Sequence, residues 1–200
     1  MTDPVTGKRT GLAGTVRRVV REMRRADVRY CVIGASALAV RGFPRMTRDL
    51  DLVVMLDDAT AAWAALEGAG LVASTPTGTP EDPESMVVFV DPKTKVDVDL
   101  LVAAGDPEAT VLEQATDAQL FGARARVAEL EHLLLLYLYS NQPKHLGDFA
   151  TIARSGKADL ARVERLVRET HPEMLPDLAE RLRQARHPEP APKRPPPRKR

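Results

Sequence analysis

Apolar residues alternate with carboxylates twice along this chain. Leu50, Leu52 and Val54 interleave with Asp49 and Asp51, and Val96, Val98 and Leu100 interleave with Asp97 and Asp99. A period of two predicts strands with one apolar and one acidic face. Elsewhere the spacing turns helical. Leu12, Val16, Val19, Val20 and Met23 mark an amphipathic helix over 11–26, its other positions taken by Arg17, Arg18, Arg21, Arg24 and Arg25. Residues 30–33 read as a short buried strand, and the run from Ser36 to Arg41 as a helix stopped at Gly42-Phe43-Pro44. A small-residue helix follows Asp57 and Asp58, which are suited to cap it, with Trp63 packed inside.

Further along, 71–74 can be a strand and 75–84 is a Pro/Thr-rich loop; 85–90 and 95–102 read as a hairpin turning at Asp91-Pro92-Lys93-Thr94. A helix over 106–116 capped by Asp106, two short strands around Gly122, and a helix over 128–140 that is apolar nearly all round come next. Amphipathic helices over 145–155, 158–170 and 172–186 complete the pattern. Residues 1–10 and the tail 187–200 have the composition of disordered ends, the tail a basic, proline-rich arm. The expected fold is α/β (α+β). A unit over 11–127, with a small mixed sheet carrying the aspartates at one edge, is followed by a helical bundle over 128–186 that closes over the cleft.

Composition narrows the classes. Of the net charge of +1, the tail from 187 carries +4, so the remainder is about −3 and is no overall grip for nucleic acid. The single cysteine, Cys31, lies in an apolar run and excludes intrachain disulfides and cysteine zinc sites. No stretch has the roughly 20 apolar residues of a membrane span, and the polar start is not a signal peptide, so a reducing cytoplasm is expected.

Two aspartates on one strand face repel unless a cation or proton neutralises them, and hard divalent ions prefer oxygen ligands. Upstream, Gly34-Ala35-Ser36 follows an apolar run, where backbone amides at a turn can cradle phosphate. Nucleotidyl transfer from a nucleoside triphosphate needs such parts: converging carboxylates, donors for the β- and γ-phosphates, and a cation at the departing pyrophosphate. Asp49, Asp51 and Asp97 are the candidates for the first, Gly34 and Ser36 for the second, and Arg45, Arg48 and Lys144 for the third.

The order Gly34, Ser36, Ala37, Gly42, Arg45, Thr47, Asp49, Asp51 resembles the nucleotidyltransferases of the DNA polymerase beta superfamily, and most of all the small bacterial group that includes AbiEii-type toxins. The likeness extends through KVDVDLL and more loosely to residue 155. It implies that Asp49 and Asp51 are paired metal ligands for Mg²⁺ or Mn²⁺, and that Asp97 is the third carboxylate, with Asp99 facing the same way as the alternative. It implies an NTP substrate such as ATP, and an acceptor hydroxyl on tRNA or other RNA, a small molecule or a protein, with an antitoxin as a partner. Thr47 is expected to support the turn. One departure stands out: Tyr137 occupies a place where members of the group often carry a lysine; Lys144 and Asp148 resemble a Lys and an Asp common in the group, which implies that Lys144 takes over the triphosphate role. His132 and His145 are expected to be capping or surface residues. Two rival readings are a catalytically silent binding module of this fold, favoured by Tyr137, and an RNA-binding protein led by the arginine helix and the tail.

Overall fold

The computed structural model describes residues 9–74 and 78–186. The expected disorder of 1–8 and 187–200, and part of the Pro/Thr-rich loop, lie outside the described residues; Arg9 and Thr10, expected with the disordered start, open the first helix. The strands are β1 (Tyr30–Val32), β2 (Asp49–Met55), β3 (Val72–Ala73), β4 (Met86–Val90), β5 (Asp97–Ala103), β6 (Thr116–Leu120) and β7 (Ala123–Val127). They form one seven-stranded sheet in the order β3-β4-β5-β2-β1-β7-β6. β2 runs parallel to β5 and β1 parallel to β7, while the remaining pairs are antiparallel.

The acidic strands are therefore central, not at an edge. Leu50, Leu52, Val53 and Val54 are all buried, so β2 is covered on both faces along most of its length, as befits an interior strand. Only its first turn-proximal residues leave one face open, and that face carries Asp49 and Asp51, both half-buried. The site thus sits at one end of the two central strands.

Helices α1 (Arg9–Arg25) and α3 (Ala59–Gly68) pack on each other and on the sheet, and α2 (Gly34–Val40) lies against β2. α4 (Glu108–Glu113) meets β1 and β2. α5 (Leu130–Leu138) is buried along nearly its whole length among α6 (Pro143–Arg154) and α7 (Leu160–Thr170), and α8 (Leu175–Arg186) packs on α6. One continuous apolar core runs from Leu12 through the sheet to Leu178, so the last helices and the sheet share an interior. Arg181 donates to the carbonyls of Tyr137 at 2.7 Å and Ser140 at 3.0 Å, a cation placed on the C-terminus of α5. Trp63 is core, edge-on to Phe89 with ring centroids 5.2 Å apart. Cys31 is buried, and burial pushes its thiol up to about 12, so it is inert.

Two local expectations are corrected. Asp58 holds the N-cap position of α3, but its side chain makes no capping hydrogen bond: it lies in a 3-10 turn and accepts instead from Arg29 Nε at 2.9 Å. His132 is neither a cap nor on the surface but fully buried; Nε2 meets Gln114 Oε1 at 3.2 Å, and burial pushes its pKa down to about 4, so it is neutral.

The turn of the β4–β5 hairpin is tied to α1 through Asp91, which is buried. Its carboxylate accepts from Thr15 Oγ1 at 2.6 Å, from the amide of Lys93 at 2.9 Å and of Thr94 at 3.3 Å, and from Arg18. Burial alone would raise this carboxyl, but the hydrogen bonds from Thr15 and Thr94 and the turn amides hold it well below the usual carboxylate range. A lowered folded pKa stabilises above the unfolded value near 4, and the contribution fades as pH falls below that. Asp91→Asn is therefore expected to lower stability by about 2 kcal/mol at neutral pH. The deficit relative to wild type should shrink on acidification below about pH 4, read by chemical denaturation across pH.

Candidate active site

β2 and β5 pair in register, Asp49 beside Asp97 and Asp51 beside Asp99. All four point to the same face, because each strand alternates with buried Leu50, Leu52, Val98 and Leu100. Oxygens of Asp49, Asp51 and Asp99 lie within 4.8 Å of one another. Asp97, the residue favoured as third ligand on the sequence, does not join this cluster: it is the first residue of β5, exposed, and one pair further out towards the sheet end. Thr47, expected to support the turn, acts on the site directly by donating to Asp49 Oδ1. A hydroxyl two residues before an acidic strand position is a signal for this that the sequence does contain.

Crowding and burial set the electrostatics. Burial first, then the charges of Asp49 and Asp99, push Asp51 up to about 6, while Lys144 and Arg45 pull it back. Asp99 is raised for the same reasons, burial first and then Asp49 and Asp97, with Lys144 opposing. Three crowded carboxylates with oxygen donors alone suit a hard divalent cation. This arrangement could hold one.

Against the cluster lies the Gly34 turn. Gly34 has φ +61°, and a Cβ there would sit 2.7 Å from Asp51 Cγ and closer still to Oδ2, so only glycine lets the turn approach the carboxylate. The helix begins at Gly34 itself with Ile33 as N-cap, so Ser36 is not the cap. The amides of the first turn have no intrahelical acceptor. Ser36 is buried, and its Oγ has no hydrogen-bond partner.

The basic candidates divide. Lys144, in the first turn of α6, is exposed, and its charge reaches Asp51 and Asp99. Arg48 is exposed and has no ion-pair partner among the described residues. Arg45 also reaches Asp51 electrostatically but pairs with Asp148 of α6 at 3.6 Å, tying the loop before β2 to that helix. A cleft of about 170 Å³ opens between them, lined by Phe43, Pro44, Arg45, Asp148 and Thr151 among others, and both Arg45 Nε and Asp148 Oδ2 lack a hydrogen-bond partner there. Tyr137 is buried with its hydroxyl unpartnered; burial and then the Asp148 charge raise its pKa, and its ring stacks on His145 with centroids 4.7 Å apart. His145 Nδ1 lies 2.6 Å from Ser140 Oγ, so this histidine is part of the α5–α6 joint.

A mixed α/β sheet with an aspartate pair on one central strand, another aspartate on its parallel neighbour and a glycine turn facing them is the arrangement of a nucleotidyltransferase fold. The chain belongs to the family described as nucleotidyl transferase of unknown function (DUF2204), whose profile matches residues 13–185. By sequence, no curated protein matches the chain. Its fold is similar to the solution structure of the antibiotic-resistance factor ANT(2″)-Ia, at 15% identity, TM-score 0.59, over 89% of this chain and 96% of that one. It is likewise similar to the crystal structure of ANT(2″)-Ia in complex with adenylyl-2″-tobramycin, at 16% identity, TM-score 0.55, over 78% and 94%.

The raised carboxyl of Asp51 has a measurable effect on stability. A folded pKa above the unfolded value means that between about pH 4 and 6 the folded chain holds a proton the unfolded chain has released, so the site destabilises increasingly as pH rises through that window. Asp51→Asn should therefore stabilise the metal-free protein by about 2 kcal/mol, a few degrees in Tm, above pH 7. The gain should vanish near pH 4. Thermal melts across pH, with and without Mg²⁺ or Mn²⁺, test this; the cation should raise the wild-type Tm more at pH 7.5 than at pH 5.

Proposed function

We propose that this protein is a Mg²⁺-dependent nucleotidyltransferase that moves a nucleoside monophosphate from an NTP, ATP among the candidates, to an acceptor hydroxyl. The observation that carries the reading is the cluster of Asp49, Asp51 and Asp99 packed against the Gly34 turn. Asp49 and Asp51 hold the metal, Mg²⁺ or Mn²⁺, with Asp99 as third ligand and Asp97 at the outer rim. The bound ions supply charge stabilisation to the attacking and leaving oxygens. Gly34 and Ser36 receive the phosphates through turn amides and the free Ser36 hydroxyl. Asp99 accepts the proton of the acceptor hydroxyl as its oxygen bonds to the α-phosphorus; the bond from that phosphorus to the bridging oxygen breaks, and pyrophosphate leaves. Lys144 and Arg48 stand over the departing charge, and Arg45 fixes the loop beneath.

The resemblance to AbiEii-type enzymes supports RNA, tRNA in particular, as acceptor, a toxin-like role with an antitoxin partner, and a cytoplasmic setting where NTPs and Mg²⁺ abound. None of the helices among the described residues is long and apolar enough to cross a membrane. A small-molecule hydroxyl is the second reading, supported by the fold shared with ANT(2″)-Ia, whose crystal structure contains adenylyl-2″-tobramycin.

Label transfer from each α-³²P NTP, with Mg²⁺, into total RNA and into a small-molecule fraction tests the reaction and names its acceptor class. Asp51→Asn and Asp99→Asn should each reduce transfer by roughly 100-fold or more, and Asp97→Asn by far less. Equal transfer by wild type and Asp51→Asn would remove the metal assignment. An inactive Asp97→Asn beside an active Asp99→Asn would exchange the roles of those two residues.

A further inference from the structure

The arginine face of α1 meets the β6–β7 hairpin in a groove of about 320 Å³ lined by Arg17, Arg21, Arg24 and Arg124 over a floor of Val20 and Ala123. The hairpin is fastened there by Arg17 Nη1, which donates to the carbonyl of Phe121 at 3.1 Å. Arg24 Nη1 donates to the carbonyl of Arg124 at 3.4 Å. Glu22 neutralises part of Arg21 and Arg25, at 3.0 and 3.6 Å, and Asp117 pairs with Arg124 at 2.8 Å. Arg17 and Arg24 have no carboxylate partner among the described residues, so the groove keeps a positive excess in a chain whose body is otherwise slightly acidic.

The second observation is the turn itself. Leu120 pairs with Ala123, leaving a two-residue loop in which Phe121 has φ +48° and Gly122 φ +81°. A turn with positive φ at both central residues favours Asn, Asp or Gly at the first, and a bulky side chain there is strained. Burial does not compensate, since Phe121 is 41% exposed. A large exposed aromatic held in a costly conformation, on the turn that Arg17 of the basic groove fastens through its carbonyl, is placed to be used.

We infer that this groove binds a single-stranded polynucleotide. Arginines contact successive phosphates, and Phe121 offers its ring to a base, the pairing of basic track and stacking platform that single strands require. An acidic protein surface would satisfy the arginines but does not pair each anionic group with a planar base as a single strand does, and a duplex keeps its bases stacked inside. The groove is separate from the acidic cluster. β7 runs parallel to β1, with Val127 opposite Val32 at the end where Gly34 follows, so Ala123 and Arg124 lie at the other end of the sheet, more than about 10 Å away along the strands. Binding here is thus independent of whether transfer occurs.

Fluorescence anisotropy of the full chain with a labelled RNA of about 12 nucleotides, at about 50 and about 200 mM salt, tests this. Arg21→Ala with Arg24→Ala should weaken binding roughly tenfold at low salt and reduce the slope of log affinity against log salt by about one. Phe121→Asn suits the turn, so its Tm should hold or rise while RNA affinity falls roughly fivefold or more. Single-stranded DNA of the same sequence should bind within a few-fold, because neither contact reads the 2′-hydroxyl. Unchanged affinity in both variants, which would move binding to the basic tail or elsewhere, overturns the inference. So does inorganic polyphosphate, or a duplex of the same sequence, binding as tightly as the single strand.

Discussion

Like charges held side by side on neighbouring strands are the constraint that shapes this molecule. The parallel register of β2 and β5 stacks Asp51 beside Asp99 and Asp49 beside Asp97, and the alternation that buries Leu50, Leu52, Val98 and Leu100 sends every carboxylate the same way. Slipping either strand by one residue would relieve the repulsion but turn the apolar set out of the core, a far larger loss. The register is therefore held by hydrophobic burial, and the surroundings adapt to the charge. Gly34 gives up its side chain so that the turn can close on Asp51, Thr47 ties Asp49, and Lys144 brings a cation over the group. A site whose resting state is electrostatically unfavourable has a standing preference for whatever neutralises it, which is why a phosphate-bound divalent cation suits it so well in the proposed reaction.

That logic explains what could be read from the sequence. The two alternating strands, their shared acidic faces and the hairpin joining 85–90 to 95–102 follow from period two alone, and the structure has each of them. The position of the acidic strands did not follow: a short strand with one polar face reads as an edge, and only the burial of Val53, on the same side as Asp49 and Asp51 but further along, shows that β2 lies inside the sheet. Which of Asp97 and Asp99 clusters with Asp49 and Asp51 was equally out of reach, because alternation makes them equivalent. It is decided by which residue of β5 falls opposite Asp51, a long-range fact. Asp58 and His132 fail for a related reason: capping and surface placement are local defaults, and a tertiary partner, Arg29 for one and the core around Gln114 for the other, overrides them.

The joint between α5 and α6 shows how an aromatic residue at 137 is accommodated beside the charged groups of the loop before β2. A lysine in place of Tyr137 would bring a positive charge into the buried helix α5. Here the same volume is aromatic, stacked on His145, with its hydroxyl near Asp148 and Arg45 in electrostatic terms. Asp148 pairs with Arg45, which is drawn into the loop–helix contact, and Lys144 is an exposed cation whose charge reaches Asp51 and Asp99. An aromatic residue at 137 is therefore compatible with a positive charge at the acidic cluster, because Lys144 reaches Asp51 and Asp99 from the next helix.

The two ends of the sheet are thus chemically opposite. At one, carboxylates gather where β1 ends and β2 and β5 begin; at the other, arginines of α1 converge on the turn into β7. Such a division comes at little expense to folding, because both charge sets sit on faces that the apolar core leaves uncovered, and they lie far enough apart that solvent screens one from the other. The same separation keeps the two proposals independent: the acidic end can act on a small hydroxyl with the groove empty, and the groove can hold a strand with the acidic end idle.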